Sequence, residues 1–238
     1  MKVNGIDVKE TYGVEQWNVV PAFSSLKNES EWPEGNIQPM MQQSTIGFKK
    51  ISANIVIRGS NRDDIWKKSA EFISKLIKPC EIQFNGFEHY YYMVLTNATQ
   101  AEQSLQRWHK ATLELQGYEH GAELITTSTA KTIVINNQGN LDTPAVIEIL
   151  PVINLVDITI SGAVRNTLTG EEKDIVIKDL LNGQKVVIDG ENGLVTQSGA
   201  NKFSDVDMWD FPVLKPGMNT ITVNKDVELT VRYKPRYF

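Results

Sequence analysis

Histidine, cysteine and clustered carboxylates are the side chains that most often bind metals or transfer protons. The sequence has three histidines, His89, His109 and His120, and one cysteine, Cys80. None of the histidines has a second histidine or cysteine at metal-ligand spacing. Glu119 adjoins His120, but a general base also needs a nucleophile and an orienting partner within hydrogen-bond reach. We therefore expect structural roles for the histidines and a small, semi-buried strand position for Cys80.

Three aspartates, Asp205, Asp207 and Asp210, lie close together and suggest either a calcium site or a glycosidase acid pair. A calcium loop needs oxygen ligands at alternate positions, a tight glycine turn and a bidentate acid, and this register is absent. Phosphate-binding glycine loops and GxSxG elbows are absent too. We expect solvated loop acids here, and no catalytic residue, metal or cofactor in the chain.

Trp209, Asp207 and Asp210 form the one group of residues in the sequence that is suited to binding a sugar. An exposed aromatic ring with nearby polar groups is a common way for a sandwich domain to bind carbohydrate. Trp209 lies two residues before Phe211, however, and it is equally suited to filling a hydrophobic core. Both interpretations stay open at this stage.

One helix is predicted, from about residue 61 to 78. Apolar residues recur there at steps of three and four, Asp63 and Asp64 suit the positive end of the helix dipole, and Pro79 ends the segment. Ser60 or Asn61 is the expected N-cap.

Short strands surround this helix. Residues 51–57 precede it, and residues 81–95 follow it as a hairpin whose tight turn is predicted at Asn85 and Gly86. From Trp108 to Gly117, polar and apolar residues alternate, as in a strand with one buried face. The first domain, residues 1–125, is therefore predicted to be α+β, sandwich-like with one helix.

Residues 23–47 are polar and interrupted by proline and glycine, which predicts a long loop or extended arm. Trp32, Met40 and Met41 make this segment more apolar than a linker requires. The arm either folds back on its own domain or packs on a neighbouring subunit. We predict the second, with these three residues in the oligomer interface.

The second domain, residues 126–238, has roughly seven β-branched runs and is predicted to be an antiparallel β-sandwich. The protein is thus expected to be mainly β. Glycines fall between the predicted runs, and residues 191–211 are expected to form an irregular connection. These glycines are Gly139, Gly162, Gly170, Gly183, Gly190, Gly193 and Gly217.

Composition excludes several classes of protein. The formal net charge of -5 and the 22% content of charged residues are unlike those of a nucleic-acid binder. No run approaches the ~20 apolar residues of a membrane span, and the N-terminus does not resemble a signal peptide. We expect no partner nucleic acid and no membrane insertion.

Four segments of the second domain, taken in order, resemble the C-terminal domain of siphophage distal tail proteins. They are NNQGNLDTPAVIEI at 136–149, LNGQKVVIDG at 181–190, FPVLKPGMNTI at 211–221 and VRYKPRY at 231–237. The first domain is similar more loosely, through the Glu31-Trp-Pro-Glu-Gly loop, the single helix and the Tyr90-Tyr-Tyr strand. Pro216 and Gly217 also have a local explanation, since they suit a type II turn.

The resemblance implies a ring-forming N-terminal domain, commonly a hexamer, and a galectin-like C-terminal sandwich. Such a protein is a structural hub of the virion tail tip that connects the tail tube protein to the tip or fibre protein and to receptor-binding proteins. It is made and assembled in the cytoplasm of the bacterial host, and it is not an enzyme. At this length there is no room for an inserted carbohydrate-binding module. The alternative is a carbohydrate-binding adhesion module centred on Trp209.

Overall fold

The computed structural model describes residues 1–31, 34, 40–101, 107–165 and 170–238; the side chains of residues 28–31, 40–44, 100 and 101 are outside this description. The chain divides into two compact units, Met1–His120 together with Phe238, and Gly121–Tyr237. The predicted boundary between residues 125 and 126 falls inside a strand, Leu124–Ser128, that pairs within the second unit.

The N-terminal unit contains one long helix and mostly antiparallel strands. In chain order its elements are β1 (Lys2–Val3), β2 (Ile6–Asp7), α1 (Val8–Tyr12), β3 (Val14–Pro21), β4 (Leu26–Glu31), β5 (Met40–Ile46), β6 (Lys49–Arg58), α2 (Arg62–Leu76), β7 (Cys80–Gln83), β8 (Tyr90–Ala101) and β9 (Trp108–His120).

All of these strands except β4 and β5 form one main sheet in the order β2-β1-β7-β8-β9-β6-β3. Helix α2 packs on one face, where its Ile65, Phe72 and Leu76 share a buried core with Ile55 and Leu113 of the sheet. The opposite face of the sheet carries the alternate residues of each strand. The predicted helix and the predicted alternation of β9 are both confirmed.

The start of α2 is fixed by its cap. The Asn61 side-chain oxygen accepts a hydrogen bond from the Asp64 N–H at 2.9 Å, as predicted for one of the two candidate caps. The helix ends at Leu76, because Pro79 cannot continue it and disfavours helical geometry just before it.

The predicted turn is present, with Asn85 and Gly86 at its centre and the Phe87 N–H donating to the Phe84 carbonyl at 3.3 Å. The strands do not flank it directly, however, because β7 ends at Gln83 and β8 begins at Tyr90. Gly86 does have a positive φ of 85°. The rings of Phe84, Phe87 and Tyr91 pack on one another with centroids 5.4, 6.2 and 6.3 Å apart. Residues between the strands therefore belong to an aromatic cluster, which extends the connection.

Residues 23–47 contain two paired strands where a loop or arm was predicted. Strands β4 and β5 form a separate two-stranded sheet, which we call the hairpin, and they pair from Leu26 with Ile46 to Glu31 with Met40. Polar composition concealed these strands, because their pairing depends on backbone hydrogen bonds and not on apolar alternation.

The C-terminal unit is built from short strands. They are β10 (Leu124–Ser128), β11 (Thr132–Asn137), β12 (Thr143–Pro151), β13 (Leu155–Arg165), β14 (Glu172–Leu180), β15 (Val186–Asp189), β16 (Leu194–Gln197), β17 (Ala200–Asn201), β18 (Val206–Asp207), β19 (Val213–Leu214), β20 (Gly217–Val223), β21 (Val227–Tyr233) and β22 (Arg236–Tyr237), with a short 3-10 helix at Phe203–Asp205.

Strands β10 to β21 form the predicted antiparallel sandwich. One sheet has the order β10-β21-β12-β15-β16-β17, with β19 also pairing with β12, and the other has the order β11-β20-β13-β14-β18. Ile147 and Leu229 from the first sheet share one buried core with Ile160, Ile177 and Ile221 from the second. Each predicted run lies wholly or mostly on a strand of this sandwich.

Strand β10 and the short strands between residues 191 and 211 were not predicted from the sequence. Residues 126–128 belong to β10, which pairs with β21 along the edge of the first sheet. Strands β16, β17 and β18 interrupt the segment from 191 to 211, but most of its residues lie outside strands, as predicted. These strands are short or polar, so they lack the alternation by which a strand is recognised in sequence.

Candidate functional site

The three histidines lie in separate surroundings of the N-terminal unit. His109 packs edge-on against Trp66, with centroids 5.6 Å apart, and His120 stacks on Tyr90 at 5.7 Å. Among the described residues, no group of three or more histidine, cysteine or acidic side chains is placed to hold a metal ion. In the same part of the chain, no helix is long and apolar enough to cross a membrane.

A charged cluster centred on Glu119 is one feature that was not predicted from the sequence. The buried Lys49 ammonium group donates a hydrogen bond to one Glu119 oxygen, and His89 Nδ1 lies 2.6 Å from the other. Burial, and then the charge of Glu119, raises the pKa of nearby Tyr91 to about 12. The cluster provides the buried Lys49 cation with a carboxylate partner. None of its side chains is a nucleophile hydrogen-bonded to a base.

Strand geometry explains why Glu119 pairs with His89 and not with the adjacent His120. Neighbouring residues on a strand point to opposite faces, so Glu119 faces Lys49 and His89. His120 lies on the other face, where its Nε2 is 3.4 Å from a Glu81 oxygen. Pairing between distant strands decides these partners, and spacing along the sequence does not contain that information.

Cys80 is buried, as a structural strand residue should be. The residue is 2% exposed, and its thiol lies 3.6 Å from the Met93 carbonyl oxygen, to which it can donate. Burial raises the pKa of this thiol to about 11. At ordinary pH the group is therefore a thiol, and the nucleophilic thiolate is scarce.

We predict that Cys80 does not react with a thiol reagent such as DTNB near pH ~8 while the protein is folded, and reacts fully in guanidinium. A Cys80→Ala variant carrying Ser74→Cys, at an exposed helix position, is the control and should react at once. Rapid labelling of native Cys80 would contradict the prediction.

The three clustered aspartates have different partners, so they do not form a chelating group. Asp205 pairs with Lys202 at 3.0 Å, and this hydrogen bond and charge lower the pKa of the carboxyl. Asp210 accepts a hydrogen bond from the Phe211 N–H at 2.7 Å. Asp207 lies on β18 and is exposed.

Trp209 is 70% exposed, so it does not fill the sandwich core. The partly buried Met208 and Phe211 contact that core. Phe203, 50% exposed, packs beside Phe211 with centroids 6.2 Å apart. An aromatic ring is thus available at the surface beside Asp207 and Asp210, which is the arrangement that the sugar-binding alternative requires.

The predicted interface residues lie on or beside the hairpin. Trp32 lies outside the described residues, and Met40 and Met41 lie on β5 with their side chains outside the description. Of the described apolar side chains of the hairpin, Leu26 is 53% and Ile46 is 45% exposed. These two residues face each other across the strands.

A second surface, the Trp17 cleft, was not anticipated from sequence. Trp17 is 60% exposed at a β-bulge of β3, on the face of the main sheet opposite α2. The Lys110 Nζ lies over its ring, 3.6 Å from the centroid, and 5.7 Å from that of Trp108. One hollow of about 310 Å³ lies between Trp17 and Asn54, and another of about 510 Å³ lies towards Trp108.

A model of one protein family matches residues 138–237, and its description is siphovirus-type tail component, C-terminal domain. The C-terminal unit is thus similar to the siphovirus-type tail component family over most of its length. The resemblance drawn from the ordered segments between Asn136 and Tyr237 is therefore confirmed. No curated protein matches the chain.

The fold of the whole chain also has relatives among solved structures. The Dit protein of phage SPP1, described as a paradigm of the hub adsorption apparatus in phages infecting Gram-positive bacteria, matches with a TM-score of 0.77 and 14% identity over 99% of this chain and 98% of that one. A chain of the phage P2 baseplate, in its activated conformation with calcium, matches with a TM-score of 0.57 and 13% identity over 93% and 90%. Both units are thus covered in each case.

Proposed function

We propose that this protein is the hub of a phage tail tip. In this proposal, copies of the N-terminal unit form a ring, commonly a hexamer, that joins the tail tube protein to the tip or fibre protein and to receptor-binding proteins. The observation that supports it most directly is the full-length correspondence with a hub protein, because a match to both units includes the part that forms the ring.

The lack of a recognisable catalytic site among the described residues is consistent with this role. A ring needs one heterologous interface repeated around an axis until it closes, and it needs no catalytic residue. The charged and aromatic groups described above have structural partners and no activated nucleophile. We propose that the protein is not an enzyme, that it needs no cofactor, and that it is assembled in the host cytoplasm and ends in the virion tail tip.

The hairpin is the proposed contact between neighbouring copies. A lone two-stranded hairpin is marginally stable in water, so a second surface that covers its apolar residues would stabilise it. Trp32, Met40 and Met41 are the residues that we assign to this interface. Their types suit it, since tryptophan and methionine are enriched in interfaces relative to the rest of a protein surface.

Light scattering of the purified protein across a concentration series, with negative-stain microscopy, tests the hub. We expect a closed ring, and we expect Trp32→Ala to shift the population towards monomers by removing a large interface side chain. Trp66→Ala, on the far helix, is the control and should leave the assembly intact. A strict monomer at all concentrations would count against the hub, and unchanged assembly of Trp32→Ala would count against the arm.

The exposure of Trp209 favours carbohydrate binding as a second candidate function. A ring that is 70% exposed is available to stack on the face of a sugar, with Asp207 and Asp210 as neighbouring acceptors. This function is compatible with a hub that also contacts the host surface.

We predict that any glycan binding found on an array falls at least about tenfold in Trp209→Ala, because an aromatic platform supplies much of the contact area. Folding stability should change by no more than about 0.5 kcal/mol, since the side chain is exposed. Val134→Ala, at an exposed site of β11, is the control. Binding that survives in Trp209→Ala would exclude this site.

A further inference from the structure

Trp209 and Asp207 face the same side of the C-terminal sandwich. Partly buried and exposed positions alternate along this segment: Val206 and Met208 pack against the sandwich core, whereas Asp207 is exposed and Trp209 is 70% exposed. In an extended segment, residues two apart lie on one face. The Trp209 ring and the Asp207 carboxylate are therefore neighbours on the outer surface of the sheet that contains β18.

The neighbouring strand β14 adds a further carboxylate to this surface. Val176 of β14 pairs with Asp207, and the two strands are antiparallel. Asp174 is exposed and lies two residues before Val176, so it shares the same face, at the position that continues the register towards Trp209. Asp210 follows Trp209 and is also exposed. We call Asp174, Asp207, Trp209 and Asp210 the Trp209 face.

The Trp209 face carries negative charge that is not neutralised. Among the described residues, no lysine or arginine forms an ion pair with any of its three carboxylates. Two lysines of this region are already paired elsewhere, Lys173 with Glu171 at 2.8 Å and the buried Lys202 with Asp205 at 3.0 Å. A surface that combines carboxylates with an exposed aromatic ring attracts a positively charged group.

The positive charges lie at the other end of the paired strands. The hydrogen bond from Lys202, together with weaker contributions that include the charge of Lys178, lowers the pKa of the Asp205 carboxyl. Lys178 lies at the end of the β14–β18 pairing opposite to Asp174, and so away from Trp209. A cation that approaches Trp209 therefore meets carboxylates that are free to accept it.

We propose that the Trp209 face binds a glycan that carries free amino groups, with the indole stacked on a sugar ring and the carboxylates facing an ammonium group. The inference rests on the carbohydrate-binding function proposed above and names its ligand class. A sugar ring offers an apolar face to the indole, and an ammonium group gains from both the aromatic ring and a carboxylate. A neutral sugar uses only the ring and hydroxyl hydrogen bonds, so it should bind more weakly.

Isothermal titration calorimetry with a glucosamine oligosaccharide and with its N-acetylated form of equal length tests the role of charge. We expect the amino form to bind the full-length protein at least about tenfold more tightly. Added salt should weaken this binding, because exposed charges are screened. Raising the pH until the sugar amines lose their protons should remove the difference, since the ligand becomes neutral while the carboxylates stay ionised.

Three variants locate the bound sugar. Asp207→Asn removes one carboxylate and keeps the size of the side chain, so it should weaken binding of the amino form about three- to tenfold and leave the N-acetylated form almost unchanged. Trp209→Ala should weaken binding of both forms. Glu228→Gln, which removes an exposed carboxylate of β21 on the other sheet, is the matched control and should bind like the parent.

The outcomes separate this inference from the function on which it rests. Equal or tighter binding of the N-acetylated form, still dependent on Trp209, would overturn the cationic ligand and leave carbohydrate binding in place. Equal losses in Asp207→Asn and Glu228→Gln would indicate attraction to the net charge of -5 and would also overturn it. If neither sugar binds, carbohydrate binding at Trp209 and this inference both fail, and the proposed hub is unaffected.

Discussion

Glu119→Leu is expected to lower the free energy of unfolding of the N-terminal unit by about 3 to 5 kcal/mol. The substitution leaves Lys49, whose residue is 5% exposed, as a buried cation without its carboxylate. It also removes the carboxylate that lies beside His89. Because a buried charge cannot recover its hydration energy from apolar neighbours, the loss is much larger than for a surface pair.

Urea unfolding followed by circular dichroism measures this effect, and two further variants sharpen it. Glu114→Leu alters an exposed glutamate on the same strand and should change stability by about 0.5 kcal/mol or less. Adding Lys49→Met to Glu119→Leu removes the uncompensated cation, so much of the lost stability should return. If the single and double variants were equally unstable, cavity formation and not charge burial would explain the loss.

Gly162→Ala should destabilise the C-terminal unit by about 3 kcal/mol or more. Gly162 lies inside β13, where the register with β14 shifts between Ile160 and Val164. Its φ is 78°, which an alanine adopts at a cost, and a Cβ built there would lie 2.2 Å from the Thr220 carbonyl oxygen on β20. Because the obstacle is backbone of a paired strand, relief requires movement of the sheet.

Gly183→Ala is the matched control for this prediction. Gly183 has a φ of 70°, and a Cβ there would meet no atom within 4 Å. It therefore measures the cost of the backbone conformation alone, which is about 1 to 2 kcal/mol. Thermal unfolding of both variants should place Gly162→Ala well below Gly183→Ala. Equal losses would mean that the contact with Thr220 is relieved without cost.

The same glycine illustrates the limit of reading turns from sequence. Gly162 was expected in a gap between strands, since glycine most often marks turns. It lies within one long strand instead, at a bulge that allows β13 to pair with both β14 and β20. By contrast, Gly217 does take a positive φ of 83° beside Pro216, and the Asn219 side chain bonds to the Lys215 backbone, as the local turn chemistry predicts.

Features that depend on neighbours in the chain were predictable from sequence alone. The single long helix, its cap and its end follow from residues a few positions apart, and the apolar alternation of β9 and of the sandwich strands follows from the two-residue period of a strand. The resemblance to the tail component family followed from the order of the segments between Asn136 and Tyr237. Each segment by itself fits any β-sandwich with well-formed turns, but their order does not.

Features that depend on pairing between distant segments were decided only by the tertiary structure. Lys49 and Glu119 are neighbours because β6 and β9 are paired in that register, and no spacing along the chain encodes it. The hairpin was hidden because polar strands are held by backbone hydrogen bonds. Likewise, Trp17 and Lys110 form a cleft only because β6 places β3 and β9 on either side of it, so this surface could be found only in the folded protein.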